Sequence, residues 1–265
     1  MTEPTLAAEV MAYYTRGGED TRLREGHGRL ELLRTRDVLR RVLPPPPAPV
    51  LDVGGGSGVH AEWLAADGHP VHLVEPVRRH VETAAALPGV TAAPGDARAL
   101  PVAAAAYDAV LLLGPLYHLL ERAERVRALS EARRAVRPGG VVVAATINRL
   151  SAVHDTARAG RFTEPATRAA VSAAAATGEL RPLGIGFTTA YLHRPAEVPG
   201  EFADAGLACT GQYGVEGVLW LVGDLDDRLD DPQRRAAVLD AIRLGESDPS
   251  LLGASGHLLT AGRRT

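Results

Sequence analysis

Along the middle of the chain, short continuous apolar runs alternate with longer stretches in which apolar residues recur at helical spacing. Residues 20–43 carry Leu23, Leu30, Leu33, Leu39 and Val42 among charges, a helical pattern that stops at four consecutive prolines, 44–47. After that stop, VLDV (50–53) reads as a buried strand and VHAEWLAAD (59–67) as a helix ended by Gly68. VHLVEP (71–76) predicts a second strand, VRRHVETAAAL (77–87) a second helix and VTAAPGDA (90–97) a short third strand with a loop. YDAVLLLG (107–114) is a fourth strand, 121–136 the helix after it, and VVVAATI (141–147) a fifth strand beyond the break at RPGG. Strands that are mostly apolar, joined by helices, predict an α/β fold whose parallel sheet is covered on both faces.

Past residue 148 the regularity loosens. Residues 149–180 read as Ala-rich helices, 195–206 as another helix, LACTGQYGVEG as a strand, about 218–246 as polar and helical, and GHLLTAGRR as a last strand. The chain therefore divides into an N-terminal helical lid (1–48), a ligand-binding core (49–148), a helical cap insertion (149–194) and a segment completing the sheet (195–265) with a helical insertion near 218–246. No internal repeat is visible.

Composition narrows the partners. The formal charge is −3 and the sequence pI about 6.3, which gives no general pull toward nucleic acid or an anionic membrane. All 29 basic residues are Arg, and in ERAERVRALSEARRAV they alternate with acids as on a solvated helix face. One cysteine, Cys209, excludes an internal disulfide and reads as a small buried filler. No uncharged run approaches the ~18 residues of a membrane span, and the first residues lack an apolar signal core, so a cytoplasmic location is expected.

The chemistry gathers at VLDVGGGSGVH (50–60), where Gly54, Gly55, Gly56 and Gly58 follow the first strand. In a parallel sheet, ligands bind at the carboxyl ends of the strands near the point where strand order reverses, and the glycines fall there. Three nucleotide loops begin this way. A phosphate-binding loop ends in Gly-Lys-Ser/Thr, and this chain has no Lys. The dinucleotide fingerprint wants a sixth-position Gly where Val59 stands, which weakens that reading.

The spacing Asp52-x-Gly54-x-Gly56-x-Gly58 resembles motif I of the class I S-adenosylmethionine-dependent methyltransferases. Four companions share the resemblance: Glu75 ending the second strand, GDARALP (95–101), YDAVLLLGPLYHL (107–119) and LSEARRAVRPGGVVV (129–143). Together they cover residues 50–147 in order. The resemblance implies a Rossmann-like, seven-stranded methyltransferase sheet with helices on both faces and an extra helical cap. It implies that Asp52, Gly54, Gly56, Gly58 and Leu113 shape the cofactor site, that Glu75 takes the ribose hydroxyls, and that Asp96 and Ala97 meet the adenine. Two adjacent hydroxyls fit two carboxylate oxygens, which gives the acid at Glu75 its physical sense, although an NAD ribose would suit it equally. By analogy Tyr13 and Tyr14 form a lid, and Arg29 meets the cofactor carboxylate.

Methyl transfer from a sulfonium is an in-line displacement, so positioning and exclusion of water dominate, and a base is needed only when the acceptor must lose a proton. The candidates for catalysis are His118 and Tyr117, just past the fourth strand, with His193 in TTAYLHRP. His118 reads either as a base or as a packing residue, and both readings stay open. The other histidines (27, 60, 69, 72, 80, 154, 257) lack metal-ligand spacing, and no metal is expected. The leading expectation is methylation of a small-molecule acceptor. The alternatives are a tRNA-modifying methyltransferase, with Arg16, Arg22, Arg24 and Arg29 as its basic patch, and a non-catalytic S-adenosylmethionine-binding protein. An NAD-dependent oxidoreductase lacks both its third Gly and a hydride-site constellation. Acceptor atom and oligomeric state have no signal in the sequence.

Overall fold

A computed structural model describes residues 8–16, 19–26, 28–182 and 187–265. Residue His27 and the side chain of Arg16 lie outside the described residues. The strands are β1 (Val50–Val53), β2 (Val71–Glu75), β3 (Val90–Pro94), β4 (Tyr107–Leu112), β5 (Val136–Asn148), β6 (Glu179–Leu180), β7 (Ala190–His193), β8 (Leu207–Gly214) and β9 (His257–Arg264). β3, β2, β1, β4 and β5 run parallel in that order, so β1 sits at the reversal point with β2 on one side and β4 on the other. β9 then pairs antiparallel with β5, and β8 antiparallel with β9.

The expected seven strands are these; the described sheet has nine, because β7 adds parallel to the last residues of β5 and β6 pairs with β7. These two short strands belong to the segment 149–194; β6 falls at the end of the stretch 149–180 read as helices, and β7 falls in TTAYLHRP, whose alternation reads as an extended segment. β5 also begins earlier than expected. The Pro138–Gly140 turn is absorbed as a bulge, where the pairing with β4 jumps from Tyr107–Val136 to Ala109–Val141.

Alternation along the strands splits the core into two layers. Val50, Leu73, Leu111 and Val143 face the helices Gly28–Val42 and Val59–Ala66. Leu51, Val53, Leu112 and Val142 face the helices Arg122–Ala135 and Val198–Asp204. A third cluster packs Leu30 against Leu225, Leu229, Val238 and Ile242 of the C-terminal helices. Arg34, fully buried, ties the same elements together by donating to the Val215 carbonyl at 3.0 Å and pairing with Asp37 and Glu246. Cys209 is exposed rather than a buried filler, because β8 is an edge strand that, among the described residues, pairs only with β9 and slips register there.

The cap segment contributes the helices Ser151–Arg158 and Pro165–Thr177, packed through Ala174 against Ala190 and Leu192. Among the described residues no helix is long and apolar enough to cross a membrane.

Candidate active site

The glycine loop leaves β1 with the Gly54 N–H donating to the Val74 carbonyl at 2.7 Å, and ends at Gly58, the N-cap of the helix Val59–Ala66. Its glycines serve different ends. At Gly54 (φ +67°) a Cβ would lie 2.7 Å from Pro115 Cγ, and at Gly55 it would fall on the Asp52 carboxylate, 2.7 Å from Leu73 Cδ1. Those two are required by the protein's own packing. At Gly56 (φ +58°) a Cβ would meet nothing within 4 Å. The loop is therefore open where it faces the cavity and closed everywhere else.

That cavity has an empty volume of about 1050 Å³. Of the residues expected to hold a cofactor, Gly54, Gly56, Glu75, Asp96, Ala97 and Leu113 line it. Asp52 and Gly58 lie behind the loop, where Asp52 is fully buried and both its carboxylate oxygens lack a hydrogen bond. Burial, and then the neighbouring Glu75, push its carboxyl up to about 7. Glu75 is fixed by two backbone donors, Gly56 N–H at 3.2 Å and Val77 N–H at 3.0 Å. Asp96 is held by Arg98, which donates to Oδ1 from its backbone N–H (2.8 Å) and Nε (2.9 Å) and to Oδ2 from Nη2 (2.8 Å).

Arg29 stands outside the cavity, paired with Asp230 at 2.7 Å. The cation lining the cavity is Arg22, which donates to both oxygens of Glu31 at 2.6 and 3.2 Å. Gly26 and Gly28 interrupt the expected single helix between Arg22 and Glu31, and the chain folds back so that the two side chains meet. Tyr14, from the helix Ala8–Arg16, lies on the cavity wall and forms a 2.7 Å hydrogen bond with His118 Nε2.

His118 and Tyr117 sit in the short turn Pro115–His118 at the cavity floor. The His118 Nδ1 lies 3.3 Å from the Thr189 carbonyl, so Nδ1–H donates there and Nε2 accepts from the Tyr14 hydroxyl. Burial, opposed by the Thr189 bond, takes this imidazole down to about 4, so it is neutral at pH 7. Beyond the turn, Arg125 Nη1 donates to the carbonyls of Leu119 (2.9 Å) and Leu120 (2.6 Å), while Nε donates to the buried Glu201 (2.9 Å). His193 is fully buried 3.4 Å from Glu201 and lines neither this cavity nor the one beside it.

The neighbouring cavity, with an empty volume of about 1440 Å³, shares Arg22, Glu31 and Tyr117 with the first. Its walls come from the cap (Ala152, Val171, Leu192), from Phe187 and Trp220, and from a polar group that the sequence did not single out: Glu31, Glu216 and His257. Ligand-type atoms of these three lie within 4.8 Å of one another. Burial alone would lower His257 and raise Glu31. The mutual charges, with Glu216 and Arg22, outweigh it and place His257 at about 9 and Glu31 at about 2.

Residues 50–140 match the model of a family described as a methyltransferase domain. The chain is 39% identical over 105 residues to a ubiquinone biosynthesis O-methyltransferase of Methylocella silvestris, covering 38% of this chain and 40% of that one. It is 32% identical over 123 residues to the ubiquinone/menaquinone biosynthesis C-methyltransferase UbiE of Acidiphilium cryptum, covering 43% and 48%. The alignments thus span less than half the length of these relatives. Over almost its whole length (98%, and 97% of the other chain) it has the fold seen in the complex of a Haloferax volcanii methyltransferase with the Trm112 activator, at TM-score 0.61 and 19% identity.

Proposed function

We propose that this chain is a class I S-adenosylmethionine-dependent methyltransferase and that it methylates a small-molecule acceptor held in the second cavity; the methyltransferase-domain match over residues 50–140 supports the first part. One observation carries the reading: the glycine loop opens only at Gly56, onto a cavity walled by two fixed carboxylates, and that cavity shares a wall with a second one. S-adenosylmethionine fits the donor set. Glu75 presents a carboxylate whose backbone bonds set its orientation for the ribose hydroxyls, and Asp96, locked by Arg98, bounds the adenine end with Ala97. Arg22 and Glu31, rather than Arg29, offer opposite charges to the zwitterionic amino-acid end. When bound, the cofactor supplies an electrophilic methyl group. The chain's part is to orient the acceptor and keep water out, with Tyr14 and the cap segment 149–194 as the covering elements.

The two relatives named above act, by name, in quinone biosynthesis, one on oxygen and one on carbon, which supports a small-molecule acceptor. Calorimetric titration with S-adenosylmethionine, S-adenosylhomocysteine and NAD⁺ tests the reading. Micromolar binding of the first two, lost in Glu75→Ala, is expected. Binding of NAD⁺ with neither sulfur compound would refute it.

A further inference from the structure

His257, at the start of β9, is set like a proton acceptor and not like a packing residue. Its Nδ1 lies 2.6 Å from Glu216 Oε1. Glu216 is itself immobilised, because Oε2 accepts from Ser255 Oγ at 2.8 Å and from the His257 backbone N–H at 2.9 Å, while Ser255 Oγ accepts in return from the Glu216 N–H at 3.0 Å. The carboxylate therefore fixes Nδ1–H as the inward donor and leaves Nε2 on the other edge of a ring that lines the second cavity. No hydrogen bond reaches Nε2 among the described residues. His118, by contrast, has both ring nitrogens engaged.

We propose that His257, oriented by Glu216, takes the proton of an aromatic or enolic hydroxyl on the acceptor, so that the acceptor is a planar, largely apolar phenol or enol. The inference rests on the methyltransferase reading above. The cavity's Phe187, Trp220, Tyr117, Leu192 and Val171 supply flat and apolar walls for such a ring. In the proton step the acceptor O–H bond breaks with its electron pair left on oxygen, and an N–H bond forms at Nε2. The oxygen pair makes the new O–CH₃ bond, the sulfur keeps the pair of the bond it loses, and His257 returns the proton to solvent. A carboxylate acceptor would need no such group.

Charge sets the pH at which His257 can act: held at about 9, it carries its proton at pH 7 and becomes the free base only as the pH approaches 9. Glu216 and Glu31 face the ring, with Arg22 paired to Glu31 and His60 near it, and Asp155, Arg158, Arg161 and Arg181 also line the cavity. The two carboxylates raise His257 to about 9 against the opposing burial. A phenol near ~10 is then well matched to it, as an aliphatic alcohol would not be.

The test uses methyl-labelled S-adenosylmethionine and a panel of mono- and bicyclic phenols, each with its matched aryl amine and aryl carboxylic acid. Methylated phenols are expected, with kcat/KM rising about tenfold per pH unit and levelling near pH 9. His257→Gln should lower kcat by about 10²–10⁴-fold at unchanged calorimetric affinity for S-adenosylmethionine. Glu216→Gln should move the plateau to lower pH, which a merely structural role would not do. Methylation of amines or acids without phenols, no product from any phenol while S-adenosylmethionine binds, a flat pH profile, or full activity in His257→Gln would each overturn the proposal. So would activity lost to a chelator and restored by a divalent ion, which would make the cluster a metal site. Failure of S-adenosylmethionine to bind would instead remove the methyltransferase reading itself.

Discussion

Replacing Asp52 by Asn should stabilise the protein at neutral pH while changing it little in mild acid. Asp52 is fully buried beneath the glycine loop, its oxygens without hydrogen bonds and its carboxyl pushed up to about 7. In the unfolded chain the same group titrates near ~3.9. The sign follows from the direction of the shift. Between these values the folded state holds a proton that the unfolded state has lost, so stability falls as pH rises through the window and levels off above 7. Three pK units at about 1.4 kcal/mol each put the cost of the ionised form on the order of 4 kcal/mol above pH 7. Asn keeps the shape beside Gly55 and never ionises, but its amide still lacks partners, which returns roughly 1–3 kcal/mol. Urea unfolding of both proteins from pH 4 to pH 8 measures the difference. The stability of the variant relative to wild type should climb across this range. A difference that stays level, or that favours wild type increasingly toward pH 8, would refute the reasoning.

The glycine loop offers a paired test. Gly54→Ala should cost about 1–2 kcal/mol in thermal unfolding from its left-handed backbone, and more from the contact with Pro115. Gly56→Ala should pay only the backbone cost yet weaken cofactor binding at least as much in calorimetry, because its Cβ points into open cavity. Arg125→Met should destabilise by about 3–5 kcal/mol in urea unfolding, since it strands the buried Glu201 and frees the Leu119 and Leu120 carbonyls. Tyr14→Phe should speed release of S-adenosylhomocysteine in stopped flow with little change in unfolding midpoint, because it removes the hydroxyl bond between the N-terminal helix and His118 while keeping the ring.

The half of the molecule built from near neighbours was legible in the sequence. Val50, Leu51, Val110 and Val142 announce strands by their own runs, and Gly54 to Gly58, Glu75 and Asp96 lie at the strand ends that the pattern predicts. What escaped depends on contacts across the whole chain. Arg22 and Arg29 look alike in sequence; only the helix break around Gly26 and Gly28 sends one into the cavity and the other to Asp230. Glu31 and His257 come from opposite ends, and nothing around either residue records that β9 will lie against β5. The position of His193 is hidden for a related reason: alternation in TTAYLHRP indicates that one face points inward, but not whether inward is a cavity or, as found, the packed side of Glu201.

The place of β9 also orders the protein's assembly during synthesis. β1 to β5 and the glycine loop are all present once residue 148 has emerged, whereas Val198, Phe202 and Leu207 of one core layer and Leu259 and Ala261 of the other come later. Until β9 arrives, however, β5 presents a long apolar strand with an open edge, and such edges invite pairing with other chains. The same strand that closes this edge carries His257 into the second cavity. On the function proposed above, a ribosome-bound chain would gain the loop that holds the methyl donor before it gains the wall that selects the acceptor.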